Sequence, residues 1–312
     1  MSISPLEQSI YDTVRFFDLY DMPLTKTQIW QHLVVAKTGY DHHASLQEIV
    51  RLFETSDFLK TNLEMKWGYA TLRGRGSLVA KRLRRHAIAQ DKWKIVRRCA
   101  YLLSCMPFVR ALAGSGSLAV DNTKHTSDLD IFVIAKEGRV WTTRLMLLAA
   151  SQVLGRRRVY GERSAPDMLC LNHYITDKAL RISSDIQNVC MAMQYTSLVP
   201  LFSDSLVRTF QQRNVFWMNA QVRLPAGIGG PSVPHRYTIS LPGWMLFMKE
   251  QVENILLEPI GDSLERFAEL LQRAVISRHR TSRGRIVLAY HELAFHPDTK
   301  VPSLVQRFSL DA

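Results

Sequence analysis

The chain has 312 residues and a formal net charge of +12, from 40 Lys and Arg against 28 Asp and Glu. Hydrophobic residues make up 46% and charged residues 22%, which excludes wholesale disorder and leaves room for about two domains. No apolar run reaches the roughly 18 residues of a membrane span, so no membrane partner is expected. Excess positive charge favours anionic partners instead: nucleic acid, nucleotide phosphates or an acidic surface.

Residues 5–20 show helical periodicity, with Ile10, Val14, Phe17 and Leu19 on or near one face. Thr25 is placed to cap a second helix over 26–35, because its hydroxyl can accept from a first-turn amide. Ser45 can open a third helix over 46–59, and residues 60–72 read as two short strands around a turn. This order predicts a winged-helix-like domain over residues 1–75. The region of its third helix offers Asp41, His42, His43, Gln47, Glu48, Arg51 and Glu54, with a single firm cation. Phosphate contact dominates DNA affinity, so packing or protein contact is the expected role and DNA binding the lesser one.

Residues 76–106 read as a connecting helix dense in positive charge, with Lys81, Arg82, Arg84, Arg85, Lys92, Lys94, Arg97 and Arg98. A solvated face is the usual fate of such a run. The alternative is a ledge that holds phosphates or an RNA backbone. Pro107 ends the helix. Residues 107–178 hold three short apolar runs, 108–113, 129–135 and 168–175, that read as strands, with an amphipathic helix over 139–154. From 179 to 312 the pattern is mostly helical, over 184–198, 203–214, 243–257 and 262–279. A Gly/Pro-rich loop lies at 225–234, and residues 286–295 are ambiguous between strand and helix. The fold class expected is α/β (α+β): a small mixed sheet with helices on one side, an N-terminal winged helix and a mostly helical C-terminal domain across a cleft.

The stretch MSISPLEQSIYD has no basic start and no apolar core, so a secretory signal is not expected. Cys99, Cys105, Cys170 and Cys190 lie in apolar or helical patterns without metal-ligand spacing. They read as buried thiols in a reducing, cytoplasmic compartment. Trp141 and Trp244 are candidates to stack a base, although core packing is the commoner fate of tryptophan.

One segment carries chemistry: Gly114-Ser115-Gly116-Ser117-Leu118-Ala119, then Ser127-Asp128-Leu129-Asp130 leading into an apolar strand. Side chains two apart on a strand point to the same face, so Asp128 and Asp130 converge on one point. Two carboxylates that close repel each other unless a cation sits between them. Such oxygen ligands suit Mg²⁺ or Mn²⁺, with phosphate oxygens and water completing the shell. Glycine lets backbone amides approach a phosphate, and serine adds a hydroxyl donor. A phosphate cradle beside a dicarboxylate metal site is the equipment for nucleotidyl transfer. Lys124 and His125, in the loop before the aspartates, are in reach of phosphate or substrate, or are simply exposed loop residues.

Gly116-Ser117-x-Ala119 followed by Ser127-Asp128-x-Asp130 resembles the signature of the DNA polymerase β-like nucleotidyltransferase superfamily, over roughly residues 108–175. The whole layout also resembles bacterial nucleotidyltransferase-domain proteins with an N-terminal winged helix. The resemblance implies a nucleotidyltransferase core over 107–178, with Asp128 and Asp130 as ligands of Mg²⁺ or Mn²⁺. It implies that Gly116 and Ser117 hold the phosphates of a nucleoside triphosphate, with Lys124 nearby. The reaction it implies moves a nucleoside monophosphate to a hydroxyl and releases pyrophosphate. RNA or another anion is an eligible acceptor, as are small molecules and proteins.

The sequence departs from that pattern at the third carboxylate. The strand 168–175 has no internal acid; Asp167 stands at its leading edge, and Asn172 lies inside it but is no base. Asp167 is therefore the candidate third ligand or base. Two other readings stay open: a catalytically weak nucleotide-binding regulatory module, and a winged-helix DNA-binding regulator.

Overall fold

The computed structural model describes residues 3–36, 44–158, 165–224, 228, 236–257, 259–278, 285–296, 306 and 308. Asp41, His42 and His43, and the loop 225–234 apart from Ile228, lie outside the described residues. The N-terminal part comprises α1 (Pro5–Asp18), β1 (Leu24–Thr25), α2 (Lys26–Gln31), α3 (Leu46–Thr55), α4 (Asp57–Asn62), β2 (Leu63–Lys66) and β3 (Tyr69–Leu72). Its helices α1, α2 and α3 each open on a capping box, formed by Ser4 with Glu7, Thr25 with Gln28 and Ser45 with Glu48. The single helix expected over 46–59 is broken at Ser56, whose hydroxyl instead accepts from the Leu59 amide and caps α4. The three strands form one antiparallel sheet in the order β1-β3-β2.

The rest of the chain runs α5 (Leu78–Cys105), β4 (Val109–Gly114), α6 (Gly116–Ala119), β5 (Leu129–Ala135), α7 (Val140–Val153), β6 (Leu169–Thr176), α8 (Val189–Thr196), β7 (Val199–Phe202), α9 (Asp204–Arg213), α10 (Val215–Asn219), α11 (Gly243–Ile255), α12 (Ile260–Arg278), β8 (Arg285–Leu288) and β9 (Glu292–His296). Six strands make one mixed sheet in the order β7-β4-β5-β6-β9-β8, with β5 and β6 parallel and the other pairs antiparallel. The protein is thus a mixed α/β chain. The expected helical region after residue 178 contributes three of these strands, so it does not form a core of its own.

Helices cover both faces of the sheet, not one. The reason lies in β5, where both alternating sets of side chains are apolar. Leu129, Ile131 and Val133 join a core with α5, α7 and α12, while Phe132 and Ile134 join a second core with α8, α9 and the N-terminal helices. A strand apolar on both sides needs cover on both sides. Trp141 is buried in the first of these cores. Among the described residues no helix is long and apolar enough to cross a membrane, and the four cysteines are free.

Charge fastens α11 to this frame. Glu253 accepts from the Phe108 amide at 2.7 Å and from the Arg110 guanidinium at 2.9 and 2.7 Å. Lys249 Nζ donates to the carbonyls of Ser104 and Val109 at 2.9 and 2.6 Å. Phe108 holds a positive φ of 65°, a conformation that costs free energy in a residue with a side chain. Burial pushes the Glu253 carboxyl up, but its bonds to Arg110 and Phe108 outweigh that and hold it below the usual glutamate range. Removing one partner of a buried pair strands the other. Glu253→Ala is therefore expected to lower unfolding stability at neutral pH by about 3 kcal/mol, read from urea denaturation. A carboxyl lowered by folding contributes fully above its unfolded pKa and loses that contribution as pH falls through its folded one. The gap between wild type and variant should accordingly shrink below about pH 4.3.

Candidate functional site

Asp128 and Asp130 stand at the start of β5 on the face that carries Phe132 and Ile134 further along. The parallel register sets Cys170 of β6 beside Asp130. One ligand atom from each of Asp128, Asp130 and Cys170 lies within 4.8 Å of the other two, a spacing that a single cation can span. Among the described residues this is the one such group. Burial, then the charge of Asp128, pushes the Asp130 carboxyl up to about 7. Burial also carries the Cys170 thiol well above its ordinary value, so at neutral pH it is a thiol. Asn172 Nδ2 donates to Asp130 at 3.4 Å. The donor set is therefore two carboxylates with a neutral sulfur and an amide at the edge. Hard oxygen donors suit Mg²⁺ or Mn²⁺, which commonly take one or two protein carboxylates and leave room for phosphate oxygens.

Gly116 follows β4 at a φ of +62°. A Cβ there would lie 2.5 Å from Asp130 Oδ2, so the turn passes against the carboxylate only because this residue has no side chain. The Ser115 amide donates to the Asp130 carbonyl at 3.0 Å and ties the turn to β5. Ser117, Lys124, Ser127, Asp128 and Arg158 line one cavity of about 540 Å³, together with Tyr20 and Asp21 from the N-terminal part and Arg85 from α5. That volume suits a small ligand. The cavity thus opens between the aspartate end of the sheet and the N-terminal part, where the sequence reading expected a cleft toward the C-terminal region.

The loop between α6 and β5 is held from below by α5. Arg82 donates to the carbonyls of Asp121 and Val120. Arg85 donates to the carbonyls of Tyr20 and Asp21 and to Asn122 Oδ1, at 3.1 to 3.3 Å. Lys92 Nζ donates to the carbonyls of His125 and Ser127 at 3.2 and 2.7 Å and to Asp167 Oδ1 at 2.7 Å. All three cations are buried. Part of the basic helix thus serves its own chain. Lys94, Arg97 and Arg98 point elsewhere, into a groove of about 370 Å³ shared with Tyr101, Arg236 and Tyr237.

The structure brings Asp128, Asp130, Gly116 and Ser117 together and leaves Lys124 exposed at the cavity. Asp167 is outside the group of three, with its carboxylate on Lys92 and its φ at +59°. Two participants were missed in the sequence. Arg158 pairs with Asp128 and donates to Cys170 Sγ at 3.2 Å. Cys170 occupies the strand position beside Asp130. The run Arg156-Arg157-Arg158 just before the third strand was the available signal for the first. The second needed the pairing register. No protein family matches the chain, and no curated protein or solved structure matches it.

The collision at Gly116 gives a test of the site's geometry. Gly116→Ala is expected to cost about 1–3 kcal/mol in stability through its positive φ. If the aspartates hold a cation, Mn²⁺ is expected to raise the melting temperature of the wild type, and this variant is expected to lose that rise. Gly68 has a φ of +79° with nothing within 4 Å of a Cβ, so Gly68→Ala carries the backbone strain without the collision. That variant should melt lower and keep its response to Mn²⁺.

Proposed function

We propose that the chain is a metal-dependent nucleotidyltransferase, moving a nucleoside monophosphate from a nucleoside triphosphate to a hydroxyl with release of pyrophosphate. The observation that carries this reading is the convergence of Asp128 and Asp130 against the Gly116 turn, beside a cavity that also presents Ser117, Lys124 and Arg158. The likeness to the DNA polymerase β-like signature points the same way. Asp128 and Asp130 hold Mg²⁺ or Mn²⁺, which when bound neutralises charge on the phosphate oxygens. Ser117 offers a hydroxyl to the triphosphate, and the bare Gly116 lets it approach. Lys124 and Arg158 supply positive charge around it. Arg158 also pairs with Asp128 at the cavity wall. Asp167 acts through Lys92 by tying the strand β6 edge to the loop that carries Ser127. An anionic acceptor such as RNA agrees with the groove of Lys94, Arg97, Arg98 and Arg236, where tyrosines stand beside the cations.

One observation favours a second reading. Cys170 and Asn172 flank Asp130 where a third carboxylate would help to take the acceptor proton, and neither does so at neutral pH. A module that binds nucleotide without transferring it fits that substitution. The experiment is a panel of α-³²P-labelled triphosphates, with Mg²⁺ or Mn²⁺ and a lysate holding RNA, protein and metabolites. An Asp128→Ala/Asp130→Ala chain serves as control. Label transferred by the wild type alone is the expected result, and its sensitivity to nuclease or protease names the acceptor class. Cation-dependent triphosphate binding without transfer would replace the first reading by the second. Loss of neither binding nor transfer in the double variant would overturn both.

A further inference from the structure

Helix α11 is turned inside out, and α12 is so in part. The face of α11 that meets the protein carries Lys249 and Glu253, only 9% and 8% exposed. Its apolar side chains point away: Trp244 is 66% exposed and Ile255 68%, with Phe247, Met248 and Val252 between them. At 3.6 residues per turn these five fall within a sector of about 140°. The next helix repeats the arrangement in part, with Ala268 and Ile276 buried in the core beside two polar side chains. Inward, Glu265 accepts from the amides of Trp141 and Thr142 at 2.8 Å, and Gln272 Nε2 donates to the Trp141 carbonyl at 2.9 Å. Outward, Ile260, Phe267, Leu271 and Val275 are exposed, and with the half-buried Leu264 they recur at the three- and four-residue spacing of a helix-packing seam.

At roughly 200 Å² for a large side chain, these exposures leave on the order of 1,000 Å² of apolar surface on two consecutive helices. Each helix alone carries about half of this, within the roughly 300–600 Å² of the largest patch on an ordinary monomer, and the two together reach the roughly 800 Å² that a stable interface hides on each partner.

We propose that this face is the contact between two copies of the chain. A two-fold contact sets one patch against itself, so it must be complementary to its own charge pattern. The outward apolar positions carry no ionised group and meet that condition, with Arg278 following at the end of the α12 stripe and each copy carrying a net charge of +12. A lipid surface would call for Lys and Arg along the polar side of an interfacial helix. The one cation of α11 is Lys249, buried with its ammonium on two carbonyls, so that half of the face offers a lipid surface no cation. Helix α12 has exposed Arg266, Arg273 and Arg278, of which Arg273 is engaged by Glu269 and the Leu288 carbonyl. The contact is independent of what the aspartate site does.

Sedimentation equilibrium of the full chain, up to tens of micromolar, tests this directly. The wild type is expected at twice the 35.8 kDa of one copy. Phe267→Glu/Leu271→Glu, and separately Phe247→Glu on α11, should raise the dissociation constant about 100-fold or more and leave the circular dichroism unchanged. Both helices keep their inward contacts in these variants, so two independent substitutions guard against a folding artefact. A wild type at the mass of one copy throughout overturns the proposal. So does a dimer that persists in both variants. Flotation of a monomeric wild type with anionic phospholipid vesicles, lost in the variants, would assign the face to a lipid surface instead.

Discussion

Three buried cations on one helix hold the candidate site together. Arg82, Arg85 and Lys92 lie on a common side of α5 and donate into backbone carbonyls of residues 120–127 and of the turn at Tyr20 and Asp21. A charged donor on a carbonyl contributes about 1.5–3 kcal/mol, and losing the acceptor leaves a buried charge unsatisfied. The loop therefore cannot drift from the helix without a large cost. Trp93, one residue on, adds an indole bond to Asp121 at 2.9 Å and packs where Gly114 leaves space, since a Cβ there would come 2.6 Å from its ring. A rigid rod thus places both ends of the segment that runs from the Gly116 turn to Asp128. The density of positive charge in residues 76–106 has a structural use besides any anion it meets.

The aspartate pair was legible because it depends on local geometry alone. A spacing of two on a strand defines a shared face whatever the rest of the chain does. Gly116 was singled out for a different reason, the approach of backbone to a phosphate, whereas the structure sets its bare Cα against the Asp130 carboxylate across the β4–β5 pair. What lay beside them was not legible. Cys170 comes next to Asp130 only through the parallel register of β5 and β6, and Asp167 meets Lys92 across 75 residues of sequence. Helices on both sides of the sheet could have been read from the unbroken apolar run Ile131–Ala135, which leaves no polar face to water. The strands β8 and β9 were ambiguous because a short apolar run has no decisive period, and their place at β6 settles them as a hairpin.

The site stores unfavourable electrostatics that the fold supports elsewhere. Asp128 and Asp130 face each other at the rim of a core, and Arg158 compensates one of them directly. Such a pair weakens the chain on its own and strengthens it when a cation and an anionic ligand arrive together. Under the proposed function, that difference is what would set the pair apart from a merely acidic edge.

The outer helices bear on the same two strands from the opposite end. Glu253 of α11 holds the Phe108 turn where β4 begins, and Glu265 of α12 holds Trp141 and Thr142 where α7 begins after β5. In the antiparallel pairing, Val109 lies across from Ala135, whereas Gly114 lies across from Ile131 beside the aspartates. A strand of six or seven residues spans about 20 Å. A partner seated on α11 and α12 would therefore brace β4 and β5 about 20 Å from the cavity and leave its mouth open. The polar inward faces of α11 and α12 make sense in that light. Their carboxylates are spent on amides that end other elements, and their apolar sides are left exposed among the described residues.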